Sequence, residues 1–129
     1  MIYRITTTTE WELAARNPFY SPNTFATDSF IHCCNRDQLG YVGDRHFRGR
    51  YGLVILCIDA DRVTAPIEYE DLSGEGMLFP HIYRGLNTDA VKKVAHFQAN
   101  ADGTFGIPLK FHNYDYWHSS HGTAAEIMS

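Results

Sequence analysis

The apolar positions change their period several times along the chain, and each change predicts an element. Residues 1–6 mix β-branched and aromatic side chains and read as a first strand. Thr9 and Glu12 stand in the S/T-x-x-E spacing of a capping box, in which hydroxyl and carboxylate each satisfy a free backbone N–H. A helix of about two turns is expected to follow, with Trp11, Ala14 and Ala15 on its apolar face, and to stop before Pro18. Residues 17–28 carry two prolines and read as a loop, although Phe19, Tyr20 and Phe25 make it aromatic. A second strand is expected over 30–33. Asn35 with Gln38 then predicts a helix start, and Leu39, Val42, His46 and Phe47 fall near one face of that helix. Gly40 and Gly43 weaken it by up to ~1 kcal/mol each relative to alanine, so packing must hold it or a glycine must permit a close approach.

Farther on, LVILCI at 53–58 is a continuous apolar run between Gly52 and Asp59, the pattern of a central strand covered on both faces. Strands are also expected at 67–69 and 90–98, with a turn at ADG 101–103 leading into another at 105–109. FPHIY at 79–83 is extended but contains Pro80, which predicts an edge or irregular segment. Beyond about 113 the chain is polar and is expected to be a tail. The reading is a single α+β domain over 1–112, with two helices in its N-terminal half and a polar segment over 113–129.

Composition narrows the function classes. A chain of 129 residues with 44% hydrophobic residues can build one core without staples. A formal net charge of -4 argues against broad binding to nucleic acid or anionic membranes. No stretch is apolar enough to span a bilayer, and the opening MIYRITTTTEW lacks the basic-then-apolar order of a secretory signal. Three cysteines, two of them adjacent, make no disulfide framework, so reduced thiols and a cytoplasmic location are expected.

The candidate chemistry gathers in a few places. His32, Cys33, Cys34 and His81 are zinc-ligand types, but no C-x-x-C pair exists and neighbours on a strand point to opposite faces, so no metal is expected. Cys34 stands just ahead of a helix start, which can activate a thiol. The plainer reading, small buried apolar residues, is preferred for all three cysteines. His32 and His81 each sit in an extended apolar segment, in FIHCC and FPHIY, and could share a pocket. In DRHFRGR, Arg45, Arg48 and Arg50 are either a solvated face or a fork for phosphate, since guanidinium pairs bidentately with it.

The motifs together resemble a known family, domain of unknown function 952. The pieces that carry the resemblance are IYRIT, EWELA, FIHCC, QL, FRGR, LVILCID, YE, FPHIY and DAV, in that order, from about Ile2 to Val94. The chain differs from the family pattern at Arg4, Cys34 and Arg84, where histidine, serine and glycine are usual. The family is grouped with the ADP-ribosyltransferase-like fold, which includes the RNA 2'-phosphotransferases. The resemblance therefore implies a split mixed or antiparallel β-sheet and a cleft for NAD or a related nucleotide. It places Arg4, His32, and His81 with Tyr83 at the family's polar positions.

On that basis Arg4 and His32 would hydrogen-bond a ribose or phosphate, and His81 would act as acid or base. Tyr83 would stack on a base or nicotinamide ring, and Glu70 would stabilise a sugar cation. ADP-ribosyl-type transfer on NAD, a binding module with a degenerate site, and NAD-dependent RNA 2'-phosphate processing are the three readings left open. The oligomeric state is not legible in the sequence.

Overall fold

In the computed structural model, which describes residues 1–105, the expected central strand organises the core. Strand β4 (Leu53–Ile58) is buried at every position. It lies between β1 (Ile2–Thr7) and β8 (Val91–Phe97), pairing antiparallel with both. Because successive side chains of a strand point to opposite faces, β4 feeds two cores. Val54, Leu56 and Ile58 join Trp11, Ile31, Ile82 and Leu86 on one side. Leu53, Ile55 and Cys57 join Tyr3, Leu39, Phe97 and Phe105 on the other.

Helix α1 (Thr8–Ala14) follows β1 directly. Its N-cap is Thr7, whose hydroxyl accepts from the Glu10 N–H at 3.1 Å, and not Thr9 as the capping-box spacing suggests. The run of four threonines offers more than one hydroxyl, and the sheet chooses among them. Thr7 is still paired with Leu53, and the Thr8 N–H donates to the Gly52 carbonyl, so the sheet holds the chain up to this point and the helix can begin no earlier. Glu10 thereby stands at N3, the capping-box position, but its carboxylate turns away to accept from the hydroxyls of Thr6 and Tyr20.

The aromatic stretch expected to be a loop holds two short elements, β2 (Phe19–Tyr20) and helix α2 (Phe25–Asp28). β2 pairs antiparallel with β7 (Leu86–Asn87). β3 (Ile31–His32) comes next, then a 3₁₀ turn at Arg36–Gln38 and helix α3 (Leu39–His46). The Gln38 side chain accepts from the Asn35 N–H at 2.8 Å, as its spacing suggests. There are thus three α-helical segments in the N-terminal half where two were expected.

The remaining sheet has the order β3-β6-β5, with β5 at Ile67–Glu70 and β6 at Phe79–Ile82. Pro80 therefore lies in a central strand, contrary to the expected edge or irregular segment. The N–H and C=O of one residue in an antiparallel ladder point to the same neighbour. The Pro80 carbonyl accepts from the Cys33 N–H at 3.1 Å, so its nitrogen also faces the β3 side. There β3 has already ended and the chain has turned toward β1, so the missing N–H interrupts no ladder. Every strand pairing among the described residues is antiparallel, and no mixed sheet forms.

The turn at 101–103 is present, but Phe105 is not in a strand. The rest of the expected strand to residue 109, the boundary near 112 and the polar segment 113–129 lie outside the described residues.

Gly43 of α3 is the glycine that a close approach requires. A Cβ there would lie 2.7 Å from Cγ and 2.8 Å from Cβ of Phe105. Phe105 cannot easily retreat: its N–H donates to Asp44 at 2.7 Å and its ring stacks on Phe97 at 4.6 Å. Gly43→Ala gains up to ~1 kcal/mol of helix propensity but overpacks this contact at a cost of roughly 1–3 kcal/mol. The variant should be less stable by about 1 kcal/mol in urea unfolding; equal or greater stability would show that the contact yields freely.

Candidate functional site

The β3-β6-β5 sheet has two chemically distinct faces, and alternation assigns them. Ile31 and Ile82 pack into the core on one face. Their chain neighbours His32 and His81 take the other face, and the register sets them opposite one another. Glu68 and Glu70 of β5 fall on this polar face too, opposite His81 and Phe79. The segment from β3 then crosses to β1: the Tyr3 N–H donates to the Cys34 carbonyl at 2.8 Å, and the Cys34 N–H to the Tyr3 carbonyl at 2.7 Å. That crossing brings Arg4 beside His32.

These residues open onto a cleft of about 450 Å³. Arg4, His32, His81, Asp28 and Phe30 line one part of it, and His46, Phe47 and Arg50, at and beyond the end of α3, line another. Arg4, His32 and His81 are thus brought to a single cavity. The loop 71–78 between β5 and β6 forms a wall. Both oxygens of Asp71 tie that loop, accepting from the N–H groups of Glu75 at 2.7 Å and Gly76 at 2.8 Å. Glu75 then reaches α3, accepting from the Tyr41 hydroxyl at 2.6 Å and pairing with Arg45 at 3.2 Å.

Arg4 is almost wholly engaged by the protein. Its Nε donates to the Tyr20 hydroxyl at 3.0 Å and one terminal nitrogen donates to the His32 carbonyl at 2.9 Å. The other lies 3.8 Å from Glu10, whose carboxylate also accepts from Tyr20 and, at 2.6 Å, from Thr6. The carboxylate that α1 does not use for capping therefore balances this guanidinium. Burial, more than any other influence, pushes the Tyr20 hydroxyl up to about 12, so it serves as a neutral hydrogen-bonding link.

His81 is buried, with Nδ1 2.9 Å from Glu70 and Phe30 stacked on its ring at 4.1 Å and 25°. Tyr83 donates its hydroxyl to the same Glu70 oxygen. This bond, and then the one to His81, hold the Glu70 carboxyl below its ordinary range, and the Glu70 contact raises Tyr83 to about 12. His32 is more open. Its Nε2 lies 3.0 Å from Asp28 and its ring is 5.5 Å from that of His81, at 74°. Desolvation lowers its pKa, and Asp28 partly opposes the shift.

Several expected roles do not match these positions. Glu70 lies behind His81 and does not line the cleft; Asp28 and Glu75 are the carboxylates that do. Tyr83 is likewise outside, turned to Glu70 with its ring 5.3 Å from Phe30. The phosphate fork does not assemble: Arg45 is paired with Glu75, Arg48 is exposed away from the cleft, and Arg50 reaches it while lying over Phe47 at 5.3 Å. A long side chain follows whatever partner lies within reach, and the spacing of DRHFRGR could not reveal Glu75. Asp28 and Glu75 were missed because each sits in a turn-rich segment without periodicity. The hint was in the spacing of Asp28, which stands four residues before His32.

The cysteines are free and buried. Burial raises Cys33 to about 12 and Cys57 to about 11, and raises Cys34 as well, so none carries a thiolate at neutral pH. Among the described residues no group of three or more His, Cys, Asp or Glu side chains is arranged to hold a metal ion. Also among them, no helix is long and apolar enough to cross a membrane.

An α+β domain of antiparallel sheets, with a histidine pair on the floor of a cleft, is the class defined so far. Over residues 5–94 the chain matches the family described as "Protein of unknown function (DUF952)", and it belongs to that family. It is also similar to protein CC0527 from Caulobacter crescentus. The crystal structure of that protein gives a TM-score of 0.73 at 30% sequence identity, covering 82% of this chain and 93% of that one. Its solution NMR structure gives 0.72 at 30% identity, covering 82% and 91%. No curated protein matches the chain.

The His32 shift has a testable sign. Its folded pKa lies below the unfolded value of about 6.5, so within that interval the unfolded chain binds more protons. The His32 contribution to stability is present above about pH 6.5 and is lost as pH falls from there through the folded pKa. An NMR titration should place the His32 midpoint below about 6.5, and Asp28→Asn should lower it further, because Asp28 opposes the downward shift. A wild-type midpoint above the unfolded value would contradict the desolvated setting.

Proposed function

We propose that this domain binds NAD or a related nucleotide in the cleft, with His81 as the group that takes or gives a proton. One observation carries the reading: Arg4, His32 and His81, from three different strands, line a single cavity of about 450 Å³. That volume lies within the range of small-molecule sites, roughly 300–1,000 Å³. The grouping of the family with the ADP-ribosyltransferase-like fold, which its motifs imply, supports the choice of nucleotide by analogy of fold. Imidazole titrates near neutrality and suits acid–base work. Phe47 and Phe79 offer rings to a base, the part first assigned to Tyr83, and Arg50 offers a cation to a phosphate.

The position of Glu70 favours a second reading, a binding module without transfer. A carboxylate meant to stabilise a sugar cation must face the sugar, and this one faces the back of an imidazole. RNA 2'-phosphate processing has less support, since Arg50 shares the cleft with Asp28 and Glu75. Arg4, the other arginine of the cleft, is engaged by Tyr20, Glu10 and the His32 carbonyl, which makes it a weak anchor for a polyanion.

Calorimetric titration with NAD and with ADP-ribose tests the reading. Wild type should bind at least one of them, and His32→Ala and His81→Ala should each weaken binding at least about tenfold, roughly 1.4 kcal/mol. Absence of heat with both ligands at millimolar concentration would sink nucleotide binding. Nicotinamide release followed by chromatography separates transfer from binding alone.

A further inference from the structure

The carboxylate–imidazole pair behind the cleft has its own logic. In the β5–β6 register the residue directly opposite His81 is Glu68, yet the partner that His81 contacts is the diagonal one, Glu70. Tyr83, two residues beyond His81 on the same face, donates to the oxygen of Glu70 that His81 meets. Phe30 covers one face of the imidazole and fixes its plane. The ring is therefore constrained in position, tilt and hydrogen bonding.

That bond also constrains where the proton sits. An ionised carboxylate only accepts, so the hydrogen between Glu70 and His81 belongs to Nδ1. A neutral imidazole carries one N–H, which leaves Nε2 with its lone pair. His32 shows the reverse arrangement: Nε2 faces Asp28, so its proton belongs there and Nδ1 is the acceptor. The neighbouring histidines are held in opposite tautomers by carboxylates from different elements, Asp28 of α2 and Glu70 of β5.

We infer that Glu70, buttressed by Tyr83, is a positioning residue that holds His81 in the Nδ1–H form, with Nε2 as the proton acceptor available to a ligand in the cleft. The inference rests on the reading of His81 as the acid–base group and replaces the role first given to Glu70. In the step it prepares, a hydroxyl of the ligand or a water loses its proton to Nε2. The O–H bond breaks, the N–H bond forms, and the electron pair stays on oxygen. The imidazolium so formed keeps its Nδ1–H against the Glu70 carboxylate, whose charge stabilises it.

Long-range proton–nitrogen correlation spectra of the ¹⁵N-labelled chain report histidine tautomers directly and need no ligand. Neutral wild-type His81 should show a protonated Nδ1 and His32 a protonated Nε2. Glu70→Ala should abolish the preference for Nδ1–H at His81, while Glu70→Gln, whose carbonyl can still accept, should retain it. Wild-type His81 protonated at Nε2, or an unchanged Nδ1–H form in a folded Glu70→Ala, would overturn the inference. The wild-type spectrum alone decides the first point if the alanine variant does not fold. A null nucleotide titration with the expected tautomers would remove the proposed ligand and leave the positioning role standing.

Discussion

The segment 31–34 hydrogen-bonds to two sheets in succession, and the cleft depends on that crossing. Its first half pairs with β6 and its second half with β1, through reciprocal bonds between Cys34 and Tyr3. The Arg4 guanidinium, gripping the His32 carbonyl at 2.9 Å, closes the angle between them. Without the crossing, Arg4 and the histidine pair would belong to separate surfaces. With it, a buried cation stands at the junction and must be neutralised, since an uncompensated buried charge is costly. Glu10 meets that demand and Tyr20 relays it, which accounts for the N3 carboxylate of α1 turning toward Arg4 and not back to the N-cap.

The same physics separates residues that face a ligand from residues that face the protein. Arg4 and Glu70 are chemically suited to catalysis, yet most of their hydrogen-bonding capacity is directed at neighbours. They fix His32 and His81, the side chains with capacity to spare. Arg45 is likewise spent on Glu75, and that bond holds the wall formed by loop 71–78 against α3. The cleft is thus lined by imidazoles, by the rings of Phe30, Phe47 and Phe79, and by charges of both signs. Such a lining fits a ligand that combines a ring with hydroxyl groups better than it fits a polyanion.

Much of this was legible from apolar runs and from patterns of period two. LVILCI, six apolar residues between Gly52 and Asp59, announced the central strand, because a run that short with such flanks suits a strand covered on both faces. FIHCC and FPHIY each alternate, so that Phe30 and His32, like Phe79 and His81, must share a face. Asn35 and Gln38 marked the turn into α3, and Gly40 and Gly43 were weak points that packing or a close approach had to explain; only the structure picks out Gly43. The four threonines, by contrast, could not reveal which hydroxyl would cap α1, since each has the same chemistry. Pro80 was read as marking an edge or an irregular segment because a proline interrupts a ladder; where β3 would end is a long-range fact.

What the sequence determined by itself was the longer strands and the two longer helices, the α+β class, and which side chains of each strand stand together, because these follow from local sterics and from the cost of exposing apolar surface; the short elements β2, α2 and β7 were not legible in it. The tertiary structure alone decided which strands are neighbours and which partner each charge takes. It set His32 opposite His81, turned Glu70 to the back of the imidazole and carried Arg4 to the junction of the sheets. These are contacts between residues far apart in the chain, selected by register and by the need to satisfy buried polar groups, and no local pattern records them.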